Sequence, residues 1–518
     1  MIISKYRLIS RWVLATGTFL WACACGAQLS QVRTAYGTVA GYQEGGLSIF
    51  KGIPYAQPPV GPLRWQAPRP PRSWSGVRRC LNFSASPMQA KPVPFMMWTR
   101  EFIAPPEPLS EDCLYLNIWT PARKSTERLP VLVWIYGGGF VSGSAACAIY
   151  DGASLARQGV VFVSLNYRVG AFGFLALKEL DRESRQGTSG NYGLLDQIAA
   201  LKWIRRNIAA FGGDPDRVTI AGQSAGSVSV NALVATPLAK GLFQRAIAES
   251  GFLISGSLVR PLADGERAGE EFLKKAGVHD LAGLRALSAE QLQQAASAMP
   301  FGTFGLVADQ YVLPTAPNAW FREGKHNDVP ILAGWVTGDA SILGNQPVTA
   351  GTLHQLAART FGPDSSAFLD VFGARTDSEA RASMARLSLV QFATLSCHLW
   401  AGYNQHKAFL YQYSFVPADL PGFPNYGAFH TSEVPYALHN LHTWQRPWQP
   451  RDYRMESMLS RYWVNFVRTG DPNGPGLPRW EPYDPQQQAV QELGDTILSR
   501  SGLYRRENTF LSAHLPSR

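Results

Sequence analysis

Residues 211–227 read FGGDPDRVTIAGQSAGS, and the rest of the chain is interpreted outward from them. Val218-Thr219-Ile220-Ala221 is a short β-branched run of the kind that forms a buried strand, and Gly222-Gln223-Ser224-Ala225-Gly226 follows it without a spacer. Small apolar residues then resume in a helical pattern. A G-x-S-x-G between strand and helix is a sharp turn in which two glycines allow close approach and the central serine is held strained, its Oγ outward. Ser224 is therefore the candidate nucleophile. The Gly-Gly-Asp-Pro turn at 212–215, which ends one helix and feeds the strand, separates this reading from a chance surface turn.

The surrounding chain alternates strands and helices. Val131 to Tyr136 and Val160 to Leu165 are continuous apolar runs, as expected of strands buried on both faces. Leu194, Ile198, Leu201 and Ile204 recur at helical spacing, and Ala246 to Gly251 and Val329 to Ala333 read as further strands. Such alternation implies right-handed crossovers and a mainly parallel sheet. Val32 to Tyr42 followed by Leu47 to Phe50 reads as a hairpin turning at Gly45-Gly46.

Gly137-Gly138-Gly139 follows the Val131 strand directly, exposing backbone N–H groups of the kind an oxyanion needs. A serine hydroxyl also needs a base, and the base an orienting carboxylate.

Taken together, Gly52-Ile53-Pro54-Tyr55-Ala56 with Pro58-Pro59-Val60-Gly61 and Leu63-Arg64, the stretch Glu111-Asp112-Cys113-Leu114-Tyr115-Leu116-Asn117, and the serine turn resemble the type-B carboxylesterase and lipase family, which includes the cholinesterases. The resemblance spans roughly Val32 to Pro482. It implies an α/β-hydrolase fold, with a large mainly parallel central sheet, helices on both faces and helical insertions over the active site. It implies a Ser224, Asp339 and His430 triad and an oxyanion hole made by Gly138, Gly139 and Ala225. It also implies hydrolysis of a small-molecule ester through an acyl-enzyme, with no cofactor and no metal. The chain departs from the family in three places: Asp339 stands where a glutamate is usual, Gln223 where glutamate more often precedes the nucleophile, and Ser86-Pro87-Met88 where a cysteine usually pairs with the equivalent of Cys113. Cys80, several residues early, is the partner the resemblance leaves for a Cys80–Cys113 disulfide.

Composition bounds the rest. Hydrophobic content of 46% and charged content of 17% suit a globular enzyme. Lys5, Arg7 and Arg11 precede an apolar run from Trp12 to Ala22, which reads as a signal peptide over 1–27 and implies a secreted or periplasmic protein. A lipid-modified cysteine at Cys23 or Cys25 is the alternative, and the run is too short for a stable membrane span. The formal charge of +10 is dispersed without long basic runs, so no nucleic-acid partner is indicated. Residues 28–518 then form one domain, with helical insertions around 258–298 and 351–404. Phe95-Met96-Met97-Trp98 is an apolar cluster in a loop-like segment, expected at the entrance of the site or packed beneath it. A lipase acting on longer-chain lipid esters and a non-catalytic binding module of the same fold are the rival functions.

Overall fold

A computed structural model describes residues 29–254, 258–314, 316–340 and 348–515. The signal-peptide reading over 1–27, with Cys23 and Cys25, lies outside them. The eleven strands of the central sheet are, in chain order, β1 (Tyr42–Glu44), β2 (Leu47–Pro54), β3 (Tyr115–Thr120), β4 (Leu129–Ile135), β5 (Val161–Leu165), β6 (Gly213–Gln223), β7 (Arg245–Glu249), β8 (Ile331–Val336), β9 (Ala408–Tyr413), β10 (Ala489–Leu493) and β11 (Ile497–Ser501). They lie side by side as β11-β10-β9-β8-β7-β6-β4-β5-β3-β2-β1. From β10 across to β5 every neighbour is parallel, and both edges are antiparallel.

The parallel centre follows from the apolar runs. Val131 to Ile135 and Val161 to Val163 are at most 1% exposed, because helices cover both faces. Helix α1 (Tyr192–Asn207) buries Leu194, Ile198, Leu201 and Ile204, the residues whose spacing announces it. Helix α2 (Ala225–Ala235), entirely buried, starts at the residue after Ser224, and α3 (Pro450–Thr469) carries Trp463 into the core beside β9 and Glu249.

The N-terminal hairpin differs from its expected form. Only Tyr42–Glu44 pairs with Leu47–Pro54 around Gly45-Gly46. Gln31–Arg33 and Thr38–Ala40 instead make a separate small sheet with Val77–Arg79. Gly37 turns the chain between the first two of these segments, which periodicity alone did not distinguish from one long strand.

The proposed Cys80–Cys113 bridge is absent: both are buried free thiols. Cys80 is taken up by the small sheet and by β2, its N–H donating to Ala40 and its carbonyl accepting from Lys51. Cys113 lies fully buried near Tyr55 and the Arg168–Asp196 pair, and burial pushes its thiol well above the usual range. Two thiols committed to different packing environments do not meet.

That Arg168–Asp196 pair ties the end of β5 to α1. The guanidinium grips both carboxylate oxygens at 2.7 and 2.8 Å, with almost no solvent access on either side. Removing one partner of such a pair leaves a buried charge alone, at a cost of about 3–5 kcal/mol, whereas replacing both with apolar groups is often close to neutral. Arg168→Met is thus expected to lower stability by that amount, and adding Asp196→Leu to recover most of it. Chemical denaturation of the single and double variants checks both; equal losses would show the pair is not what holds this junction.

Helices at Leu262–Lys275, Leu281–Ala286 and Ala289–Ser297 form one insertion, and those at Ala350–Phe361, Ser365–Phe372, Asp377–Leu389 and Leu395–Tyr403 a second. The second surrounds its own small core of Leu353, Phe368, Phe372, Leu387 and Val390.

Candidate active site

Ser224 sits between β6 and α2 at φ 57° and ψ −125°, a conformation that costs a residue with a Cβ and persists only where its surroundings impose it. Here they do. A Cβ on Gly226 would lie 2.1 Å from the Ile135 carbonyl oxygen, and one on Gly222 2.6 Å from Gly226, so glycine alone allows strand, turn and helix to come this close. The Ser224 N–H donates to Glu249 O at 2.8 Å, which fastens the turn to β7. Its neighbours on both sides are buried, while Ser224 itself keeps partial exposure.

The glycine loop after β4 packs on this turn. A Cβ on Gly137 would stand 2.9 Å from Ser224 Cβ and 3.5 Å from the Ala225 nitrogen. Gly138 and Gly139 follow at φ 108° and 62°, and Ala225 N–H is the first of α2, where no intrahelical acceptor exists. The glycine loop thus meets the serine turn at Gly137, with Gly138 and Gly139 the next two residues along the chain. Phe301, 84% exposed, rests against Gly139, on a turn that Arg260 fastens through the carbonyls of Gly302 and Thr303. Nothing in the spacing of the sequence marked Phe301; it lies just beyond the first insertion.

His430 Nδ1 lies 2.6 Å from Asp339 Oδ1, with both side chains at most 3% exposed. A carboxylate only accepts, so the imidazole proton is on Nδ1 and the Nε2 lone pair faces the amide of Gln223, the residue before Ser224. Asp339 Oδ2 accepts the Val336 N–H, which fixes the carboxylate plane. A shorter acid than glutamate needs a closer backbone, and Gly338 supplies it: its N–H reaches Ala428 O at 2.9 Å, where a Cβ would collide at 2.4 Å. The loops bearing acid and base are thereby pinned together directly.

Around His430 stand Trp98 and Phe392, edge-on at 6.3 and 5.8 Å between ring centroids. Phe392 comes from a π-helical segment of the second insertion, Val390–Thr394. In the Phe95–Trp98 cluster the roles divide. Phe95 and Met96 are exposed, Met97 is buried, and Trp98 packs tilted at 47° against the Phe95 ring while its indole N–H donates to Thr431 Oγ1. The amide of Gln223 meets His430 Nε2 at 3.2 Å.

Two further carboxylates lie buried beneath the site. Glu249 accepts from the Trp463 indole, and Glu433 from Ser250 Oγ, each with its second oxygen unpartnered among the described residues. Burial pushes Glu249 up to about 8, and burial with the neighbouring Glu249 and Asp339 charges pushes Glu433 well above the carboxylate range. An unfolded glutamate releases its proton near 4.5, so between there and about 8 the folded protein holds more protons than the unfolded one. Stability then falls as pH rises through that window, by up to ~1.4 kcal/mol per pH unit for one proton. Glu249→Gln keeps the acceptor for Trp463 and removes the titration, so its melting temperature should gain on that of the unmodified protein between pH 5 and 8 and hold a constant gap beyond. Parallel curves across that range would contradict this account of Glu249.

Among the described residues no cluster of side chains is suited to a metal ion, and no helix is long and apolar enough to cross a membrane.

A mainly parallel sheet with a strained serine between β6 and α2, and an acid and histidine on later loops, is the arrangement of an α/β-hydrolase. Residues 28–510 match the profile of the carboxylesterase family. A fumonisin B1 esterase of Sphingopyxis macrogoltabida is 35% identical over 490 residues, covering 91% of this chain and 87% of the relative. A para-nitrobenzyl esterase of Bacillus subtilis is 35% identical over 493 residues, covering 90% and 95%. Among solved structures, a thermophilic para-nitrobenzyl esterase superposes with a TM-score of 0.80 at 32% identity over 93% of this chain and 99% of that one. A carboxylesterase of Geobacillus stearothermophilus does so at 0.78 and 32%, with the same coverage. The chain belongs to the carboxylesterase family, and its reaction is the hydrolysis of carboxylic esters.

Proposed function

We propose that Ser224, His430 and Asp339 carry out this hydrolysis through an acyl-enzyme. Ser224 Oγ attacks the ester carbonyl as His430 Nε2 takes its proton, and Asp339 stabilises the imidazolium that results. The N–H groups of Gly138, Gly139 and Ala225 receive the charge that develops on the carbonyl oxygen, each worth about 2.7–4 kcal/mol of barrier. His430 then gives its proton to the leaving alcohol. Water repeats the sequence at the acyl carbon, restoring Ser224 and releasing the acid. No step calls for a cofactor or metal.

The observation that supports this reading is the buried 2.6 Å contact of His430 Nδ1 with Asp339, with Nε2 3.2 Å from the amide of Gln223, the residue before Ser224. The test is hydrolysis of p-nitrophenyl acetate, butyrate and palmitate by the mature chain beside Ser224→Ala. Activity falling from acetate to palmitate marks a carboxylesterase. The lipase reading draws on the exposed Phe95, Met96 and Phe301, and a rise toward palmitate at a lipid–water interface would favour it. A folded protein with no activity on any of the three would point to a binding role. Secretion through an N-terminal signal belongs to the same proposal, checked by the N-terminal residue of the exported chain.

A further inference from the structure

Thr431, immediately after the proposed base, is a β-branched residue at φ 88°. A β-branched side chain is strained there, and glycine would not be. The residue is 5% exposed, so the hydroxyl that accompanies this strain is committed to the interior. It makes two hydrogen bonds. Trp98 Nε1, which can only donate, gives its proton to Thr431 Oγ1 at 3.2 Å, and Thr431 Oγ1 donates to Gln223 Oε1 at 3.3 Å. With its oxygen held in this way, the Gln223 amide presents its nitrogen to His430 Nε2 at 3.2 Å.

We infer that Thr431 is a positioning residue, whose strained hydroxyl orients Gln223 so that the amide N–H holds His430 Nε2 at the serine turn. The inference rests on the proposed role of His430 as base. The imidazole is then pinned at both ends, by Asp339 at Nδ1 and by Gln223 at Nε2. The second bond, at the long end of the hydrogen-bond range, is weak enough to yield when Ser224 Oγ–H approaches. Polarity matters as much as position. An amide turned the other way would aim an oxygen lone pair at the Nε2 lone pair, and the ring would swing from the serine turn or carry its proton on the nitrogen that must receive one. The donor chain from Trp98 through Thr431 favours the observed polarity, because only an amide oxygen on this side accepts the Thr431 proton. Gln223 and Thr431 thus act on the reaction through His430 without touching the reacting atoms.

Three substitutions at Thr431 separate this role from a structural one. Thr431→Gly removes strain and hydroxyl together, Thr431→Val removes the hydroxyl but keeps the strain, and Thr431→Ser keeps the hydroxyl. Per active site, Thr431→Gly and Thr431→Val should lose on the order of 10-fold or more in kcat on p-nitrophenyl butyrate, as expected of a mis-set base, with KM within about 3-fold. Thr431→Gly should melt no lower than the unmodified protein, and Thr431→Ser should retain kcat within about 3-fold. Adding Gln223→Ala to Thr431→Gly should lower kcat little further, because both changes break one relay. A Thr431→Gly enzyme with unchanged kcat, or a Thr431→Ser enzyme as slow as Thr431→Gly, overturns the inference. A crystal structure of Thr431→Gly reads the relay without substrate, so it decides the matter even if His430 is not the base. The Gln223 amide should leave Nε2 or invert; an amide still donating to Nε2 overturns the proposal.

Discussion

Ser224→Ala should lower kcat on p-nitrophenyl butyrate by about 10⁴- to 10⁶-fold, the scale seen when a triad serine is removed, while leaving the fold unchanged. The two halves have separate causes. The loss is large because the N–H groups and His430 that remain must act on a water that nothing holds at the attacking position, and no acyl-enzyme can form. The fold survives because the contacts holding the turn are backbone ones: Ser224 N–H to Glu249 O, and the tight approaches at Gly222 and Gly226. Alanine at φ 57° carries the same strain as serine, so the melting temperature should stay within about 2 °C. Neighbouring serines offer no substitute. Ser227 Oγ is spent on Gly251 O, and Ser250 Oγ on Glu433. Activity retained in the variant, measured on protein free of contaminating esterase, would remove Ser224 from the mechanism.

The sequence disclosed those parts of the fold whose residue pattern has a single physical cause. The apolar runs of β4 and β5 could only be doubly covered strands, and the glycines around Ser224 had to permit an approach that a Cβ forbids, as the 2.1 Å clash at Gly226 makes plain. Ser224, His430 and Asp339 could be singled out because their order and local motifs are written along the chain. Contacts between distant segments left no such trace. Periodicity cannot state that Gly37 divides one apolar stretch into two strands of another sheet, or that Cys80 and Cys113 go to separate environments. Gln223 could be noticed as a neutral residue where glutamate is more usual. Its partners, Thr431 and Trp98, lie 208 positions away and, from Thr431, a further 333 back, so only the folded chain reveals them.

Asp339→Asn poses the question on which the sequence was least decisive, and the structure makes the expected result specific. In the unmodified protein Oδ2 accepts from Val336 N–H and Oδ1 from His430 Nδ1–H. Asparagine has only one oxygen, and Val336 N–H, which cannot accept, claims it. The amide nitrogen must therefore face His430 Nδ1 as a donor, and Nδ1 can meet it only as an acceptor. That drives the imidazole proton to Nε2, the atom that takes the Ser224 proton in the proposed mechanism. Expected is a fall in kcat of about 10⁴-fold with little change in KM, the consequence of a correct geometry holding the wrong tautomer. The extra methylene of Asp339→Glu should also slow the enzyme, since Gly338 and Ala428 already hold the two loops at 2.9 Å and leave no slack for a longer acid. Glu433, buried three residues beyond His430, is a carboxylate on the segment that carries the base. Glu433→Gln should cost far less kcat than Asp339→Asn, and the reverse ranking would move the orienting acid from the loop after β8 to the segment that carries the base.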